Sequence, residues 1–83
     1  MQTENHQPSS RPFRVHSARD LGAAVKYFRT CSGITQAELA ERAGIHRSYL
    51  SDLENGHHTE ALERLMALFR ELGVRVRISL EEW

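Results

Sequence analysis

Apolar residues recur along this chain in two rhythms. Leu21, Ala24, Val25 and Phe28 fall at i, i+3, i+4 and i+7. That spacing lines one face of a helix and predicts one running to about Cys31, where Ser32-Gly33 stops it. Ser17, with Asp20 three residues on, has the shape of a capping box at its start. A second helix is expected over Gln36–Ala43, capped by Thr35 and ended by Gly44, with Leu39, Ala40 and Ala43 inward. His46–Glu54 reads as a third, short helix with Leu50 and Leu53 inward, closed by the Asn55-Gly56 turn signal. Thr59 opens a fourth, carrying Leu62, Leu65, Met66, Phe69 and Leu72 at helical spacing, and Gly73 ends it. The rhythm then changes. Val74-Arg75-Val76-Arg77-Ile78-Ser79-Leu80 alternates strictly, the period of a half-buried strand. Phe13-Arg14-Val15 alternates too briefly to define a strand by itself, and residues 1–16 otherwise read as a polar, disordered arm holding both prolines. Neither an internal repeat nor a low-complexity stretch interrupts the pattern.

Composition narrows the classes. Eighty-three residues make one domain with a modest core, for which a partner or a second copy adds useful burial. Formal net charge is zero, so overall charge does not mark a nucleic-acid binder. Its distribution tilts weakly: residues 11–58 hold seven Lys/Arg against five Asp/Glu, with four His, while residues 59–83 hold four against five. Cys31 is the single cysteine, so no intrachain disulfide forms. The expectation is a small, partly buried thiol in a reducing compartment. With no membrane-length apolar run and no signal-peptide pattern, the expected location is cytoplasmic and the expected partners exclude a membrane.

The stretch Thr35–Gly56, "TQAELAERAGIHRSYLSDLENG", concentrates the candidate chemistry. Two short helices flank Ala43-Gly44-Ile45. A helix that ends on glycine and restarts within a few residues turns steeply, as in a helix-turn-helix. Ala40 is small where the two would cross. Ile45, Leu50 and Leu53 would anchor the second helix from within, leaving Arg47, Ser48, Ser51 and Asp52 outward near its N-terminus. A recognition helix meets base edges at that end.

Gln36–Asn55 resembles the helix-turn-helix of the lambda-repressor/Cro-type (XRE) DNA-binding family, through "TQAELA", the Ala-Gly-Ile turn and "YLSDLENG". The resemblance spans about residues 21–72. It implies an all-α, four-to-five-helix domain over 17–73 with its motif at 36–55. It also implies roles. Arg47, Ser48 and Asp52 would read base edges, with Ser51 a marginal fourth. Gln36, His46, Tyr49 and Asn55 would meet the DNA backbone. Arg29 and Glu54 match a structural ion pair linking the first helix to the recognition helix. Arg47 suits the O6 and N7 of guanine. Asp52, where an amide is usual, either accepts from cytosine N4, repels nearby phosphates, or pairs internally with Arg47 or Arg42. His46 replaces the more usual Ser or Thr cap.

A Cro-type domain supplies no sheet for the C-terminal strand, so residues 74–83 are expected to form a dimerisation strand and tail. Two copies would pair antiparallel about a twofold axis, over roughly 23 Å at about 3.3 Å per residue. Val74, Val76, Ile78 and Leu80 would pack down on the helices as the dimer interface, Arg75 and Arg77 would face solvent, and Phe13–Val15 would add a strand at the margin. "SARDLGAAVKYFR" together with this strand and the final "LEEW" resembles HipB-like antitoxins. That likeness implies autoregulation of an operon and a HipA-like toxin kinase as partner. Trp83 either enters a pocket on such a partner or folds back on its own dimer.

Other chemistries fit less well. His57-His58, with His46 and His16, lacks any zinc-ligand spacing. No metal and no cofactor are expected, and the histidines read as loop or phosphate contacts. A nucleophile–base pair and a glycine-rich phosphate loop are both missing, so neither an enzyme nor a small-molecule substrate is expected. The functional readings are thus a dimeric, sequence-specific repressor of double-stranded DNA, in particular an antitoxin. The alternatives are a stand-alone XRE-type regulator and a protein-interaction module without DNA binding.

Overall fold

A computed structural model describes residues 13–80. The expectations for the arm at 1–12 and for Trp83 lie outside the described residues. Two short strands and four helices follow in the order β1 (Phe13–Val15), α1 (Ala18–Cys31), α2 (Gln36–Ala43), α3 (Arg47–Glu54), α4 (Glu60–Leu72) and β2 (Val76–Ile78).

Helix starts are set by local chemistry. Thr35 makes a complete capping box: its hydroxyl accepts from the Glu38 N–H at 3.0 Å, and the Glu38 carboxylate accepts from the Thr35 N–H at 2.8 Å. Two of the amide groups that a helix start leaves unpaired are thereby satisfied. Thr59 caps α4 more loosely, its hydroxyl 3.4 Å from the Leu62 nitrogen. The expected box at Ser17 does not form. Ser17 makes no side-chain cap bond, and Asp20 instead accepts from the His16 N–H at 2.8 Å. α2 stops where Gly44 turns left-handed at φ 72°, a conformation that a β-carbon disfavours.

The strand at the end of the chain finds its partner inside the same chain. β2 pairs antiparallel with β1 in the register Phe13↔Ile78, Arg14↔Arg77 and Val15↔Val76. The domain does supply a sheet for it, contrary to the sequence reading, and Phe13–Val15 is its central partner and not a marginal addition. The strand is also shorter than the alternating run. Val76 and Ile78 face the core, while Val74 and Leu80, expected to pack beside them, are exposed. Only the middle of the run is bonded to β1, and its ends project beyond that pairing.

The core has two parts. Around the sheet, Val15, Ala18 and Met66 are buried, with Phe13, Leu21, Leu62, Phe69, Val76 and Ile78 packed against them. Phe13 stacks obliquely on Tyr27 at 5.5 Å between centroids, and Tyr27 meets Phe28 edge-on at 5.1 Å. The other part lies where α1, α2 and α3 meet, around buried Ala24, Ala40 and Leu50. Gly22 is also buried there. A β-carbon on Gly22 would stand 2.7 Å from the Leu53 carbonyl carbon and closer still to its oxygen. Helix α1 approaches the end of α3 that closely only because residue 22 has no side chain.

Several positions read as inward lie outward. Ile45 is 40 % exposed and Ala43 is exposed. Leu65 and Leu72 on α4 are exposed, since the core takes the neighbouring face through Leu62, Met66 and Phe69. Cys31, at the end of α1, is exposed and not partly buried.

Candidate nucleic-acid interface

The base of the site is a buried polar knot. Glu54, the last residue of α3, has a side chain only 1 % exposed. A carboxylate so placed must be paired, because burying a lone charge is prohibitive. Arg29 of α1 supplies the pairing in bidentate form: Nε donates to Oε2 at 2.7 Å and a terminal nitrogen to Oε1 at 3.0 Å. The remaining guanidinium nitrogen donates to the Ile34 carbonyl at 2.8 Å. Gln36, at the start of α2, donates its amide to Glu54 Oε1 at 3.0 Å. One carboxylate thus ties α1, the loop after it, α2 and α3 together. The Arg29 hydrogen bond, opposed by burial and aided by Gln36, holds the Glu54 carboxyl below the ordinary 4.5 of a glutamate. Pairing with Glu54 raises the Arg29 guanidinium in turn.

Leu50, 2 % exposed, pins the back of α3. The front is open. Arg47, Ser48 and Asp52 are exposed there, with Ser51 half-buried beside them. Tyr49 and His46 flank the N-terminal end and Asn55 the C-terminal end, all three exposed. Gln36 is half-buried and committed to Glu54, so its amide is held from behind and not loose at the surface. His46 stands at the N-cap of α3 without a side-chain cap bond, and no acidic residue occupies the first turn. The positive end of that helix therefore faces outward without local compensation, an arrangement that favours an anion such as phosphate.

Asp52 takes neither internal partner expected from the sequence. Among the described residues no ion pair joins it to Arg47 or Arg42; its Oδ1 lies 3.9 Å from His57 Nδ1, with both side chains largely exposed. The Asp52 carbonyl also accepts from the His57 N–H at 2.8 Å, which folds the turn back under α3. Next to it, His58 sits between two acceptors, the Gly56 carbonyl at 2.9 Å from Nδ1 and Glu63 Oε2 at 2.6 Å from Nε2. The histidine pair thus braces the loop between α3 and α4. Among the described residues no group of three or more His, Cys, Asp or Glu could hold a metal ion.

Sequence reasoning missed three positioning residues here. Gly22 carried one signal, a glycine inside a helical apolar pattern, which often marks a close approach. His57 and His58 carried none, because their partners are fixed by how the Asn55-Gly56 turn closes.

An outward helix held on a glycine-ended turn over a helical scaffold defines the helix-turn-helix class of DNA-binding domain. Residues 25–78 match the profile of the helix-turn-helix family. The chain is 38 % identical over 62 residues to the immunity repressor protein of Bacillus phage phi105, covering 75 % of this chain and 43 % of that one. It is 36 % identical over 66 residues to the HTH-type transcriptional regulator SinR of Bacillus subtilis, covering 75 % and 57 %. To the uncharacterized HTH-type transcriptional regulator y4mF of Sinorhizobium fredii it is 31 % identical over 65 residues, covering 78 % and 86 %. The chain belongs to the Cro/lambda-repressor-type (XRE) helix-turn-helix family of DNA-binding transcriptional regulators. It spans less than half the length of the phage repressor. No solved structure matches it significantly. Among the described residues no helix is long and apolar enough to cross a membrane.

Proposed function

We propose that this chain is a sequence-specific repressor that binds double-stranded operator DNA as a homodimer. The observation that carries the proposal is the two-faced α3: Leu50 and the Arg29–Glu54 pair fix its back, while Arg47, Ser48 and Asp52 are exposed on its front. A rigid helix pays little to present side chains to the major groove. Arg47 and Ser48 carry most of the base reading, with Asp52 and Ser51 beside them. His46, Tyr49 and Asn55 meet phosphates, and Gln36 sets the start of α2 against the backbone. One helix reads only a few base pairs; two, about 34 Å apart, read a palindrome.

The test is a set of band shifts on the promoter of the chain's own gene and on random duplex. Arg47→Ala is expected to cost roughly 1–3 kcal/mol at one base pair and to relax specificity there. Equal losses on both duplexes would show that Arg47 meets phosphate instead. Binding should also weaken steeply with added salt, whereas a protein-interaction module without DNA binding gives no shift even at low salt.

The finer reading is a HipB-like antitoxin that represses its own operon and binds a HipA-like toxin kinase, with Trp83 as a contact. It rests on the likeness of Ser17–Arg29 and the final four residues. Co-purification with the product of the adjacent gene tests it. A stand-alone regulator is the second reading, in keeping with the likeness to the Sinorhizobium HTH-type transcriptional regulator, most of whose length this chain covers.

A further inference from the structure

Helix α4 carries an apolar face that its own domain does not use. Leu65, Leu68 and Leu72 are 45, 60 and 72 % exposed, and Ala61 is exposed in line with them. At 3.6 residues per turn, the four side chains fall within about 60° of the helix circumference. They form one stripe, not scattered surface leucines, and a continuous exposed stripe of this kind marks an interaction surface. The core is filled from the adjacent face by Leu62, Met66 and Phe69, so rotating the helix to hide the leucines would empty it.

We propose that this stripe is the contact between two copies of the chain, with the two α4 helices packed antiparallel about a twofold axis near Leu68. The inference rests on the dimer reading above and puts the main contact on α4, because β2 is only three residues long and already pairs with β1 along one edge. The flanking charges select the occupant and its direction. Arg64 and Glu71 lie on the same flank of the stripe, seven residues apart, with Arg64 exposed and bonded within its helix to Glu60 at 3.3 Å. In an antiparallel pair a flank faces its own equivalent run backwards. Leu68 then meets Leu68 of the copy, Leu65 meets Leu72, and Arg64 meets Glu71 twice over. The surface is complementary to itself in charge as well as apolarity, as an isologous contact requires. Ala61 leaves room at each end of the stripe for the copy's Val74, whose side chain is exposed just past Gly73.

Sedimentation of the full chain tests this, with far-UV circular dichroism confirming that each variant folds. The wild type is expected to be dimeric. Leu68→Arg should raise the dimer dissociation constant about 100-fold or more, because it strips an apolar contact from both copies. Arg64→Glu should weaken the dimer by facing the copy's Glu71 with a like charge, and Arg64→Glu combined with Glu71→Arg should recover most of the loss. A wild type that stays monomeric, a Leu68→Arg chain as dimeric as the wild type, or a double exchange that recovers nothing overturns the proposal. Band shifts on a single operator half-site keep the two readings apart. Leu68→Arg should leave half-site binding unchanged, whereas failure of the wild type to bind any half-site refutes the DNA reading and leaves the sedimentation result standing.

Discussion

Replacing Gly22 by alanine probes how the recognition helix is held. Judged by helix propensity alone the change helps, since alanine in a helix interior is about 1 kcal/mol better than glycine. The packing says otherwise. The added methyl would stand 2.7 Å from the Leu53 carbonyl carbon, where ordinary contact between carbons needs about 3.5–4.0 Å. The obstacle is backbone, so it cannot swing aside like a side chain, and α1 and α3 must part by roughly 1 Å. Overpacking of this kind costs about 1–3 kcal/mol. The next residue along is Glu54, whose carboxylate sits 2.7 Å from Arg29 Nε. Parting the helices stretches that bond, and losing a charged hydrogen bond adds roughly 1.5–3 kcal/mol. After the propensity gain, the net loss is about 2–5 kcal/mol. For a domain of this size that lowers Tm by roughly 8–40 °C. Urea and thermal melts at one fixed protein concentration measure it. A Gly22→Ala chain as stable as the wild type would mean that α1 and α3 do not meet at this glycine.

Two further outcomes follow from the buried knot and the capping box. Glu54→Gln should cost about 3–5 kcal/mol at neutral pH, because it leaves Arg29 without its countercharge. The Glu54 carboxyl is held below its ordinary 4.5, so its contribution is complete above that pH and is lost as pH falls through the folded value. The stability gap between wild type and Glu54→Gln should therefore be constant above about pH 4.5 and close in acid; a gap that widened in acid would contradict the pairing. Thr35→Ala should cost about 1 kcal/mol in denaturant melts by removing the α2 cap, and an unchanged midpoint would show the box to be idle.

Much of the fold could be read from local spacing. The 3.6-residue rhythm located four helices, and Thr35, Gly44, Thr59 and Gly73 marked their ends because capping depends on the nearest few residues. Arg47, Ser48 and Asp52 could be placed outward once Leu50 and Leu53 were assigned inward, since a helix fixes which residues share a face. The likeness to Cro-type sequences suggested Arg29 with Glu54, a contact across 25 positions that periodicity cannot supply.

Tertiary structure decided the rest, for one physical reason: a repeating pattern shows that a residue wants a partner, not which surface provides it. The alternating C-terminal run wanted a strand beside it, and only the folded chain brings Phe13–Val15 there. Leu65 and Leu72 had the same spacing as Met66 and Phe69, yet the angle at which α4 docks buries one set and exposes the other. The Asp52 carboxylate lies beside His57, not Arg47 or Arg42, because the closing of the Asn55-Gly56 turn brings that residue to its side. Gly22 is the plainest case. Its own helix would be better with alanine, and only the carbonyl of Leu53 lying against it makes the absence of a side chain necessary.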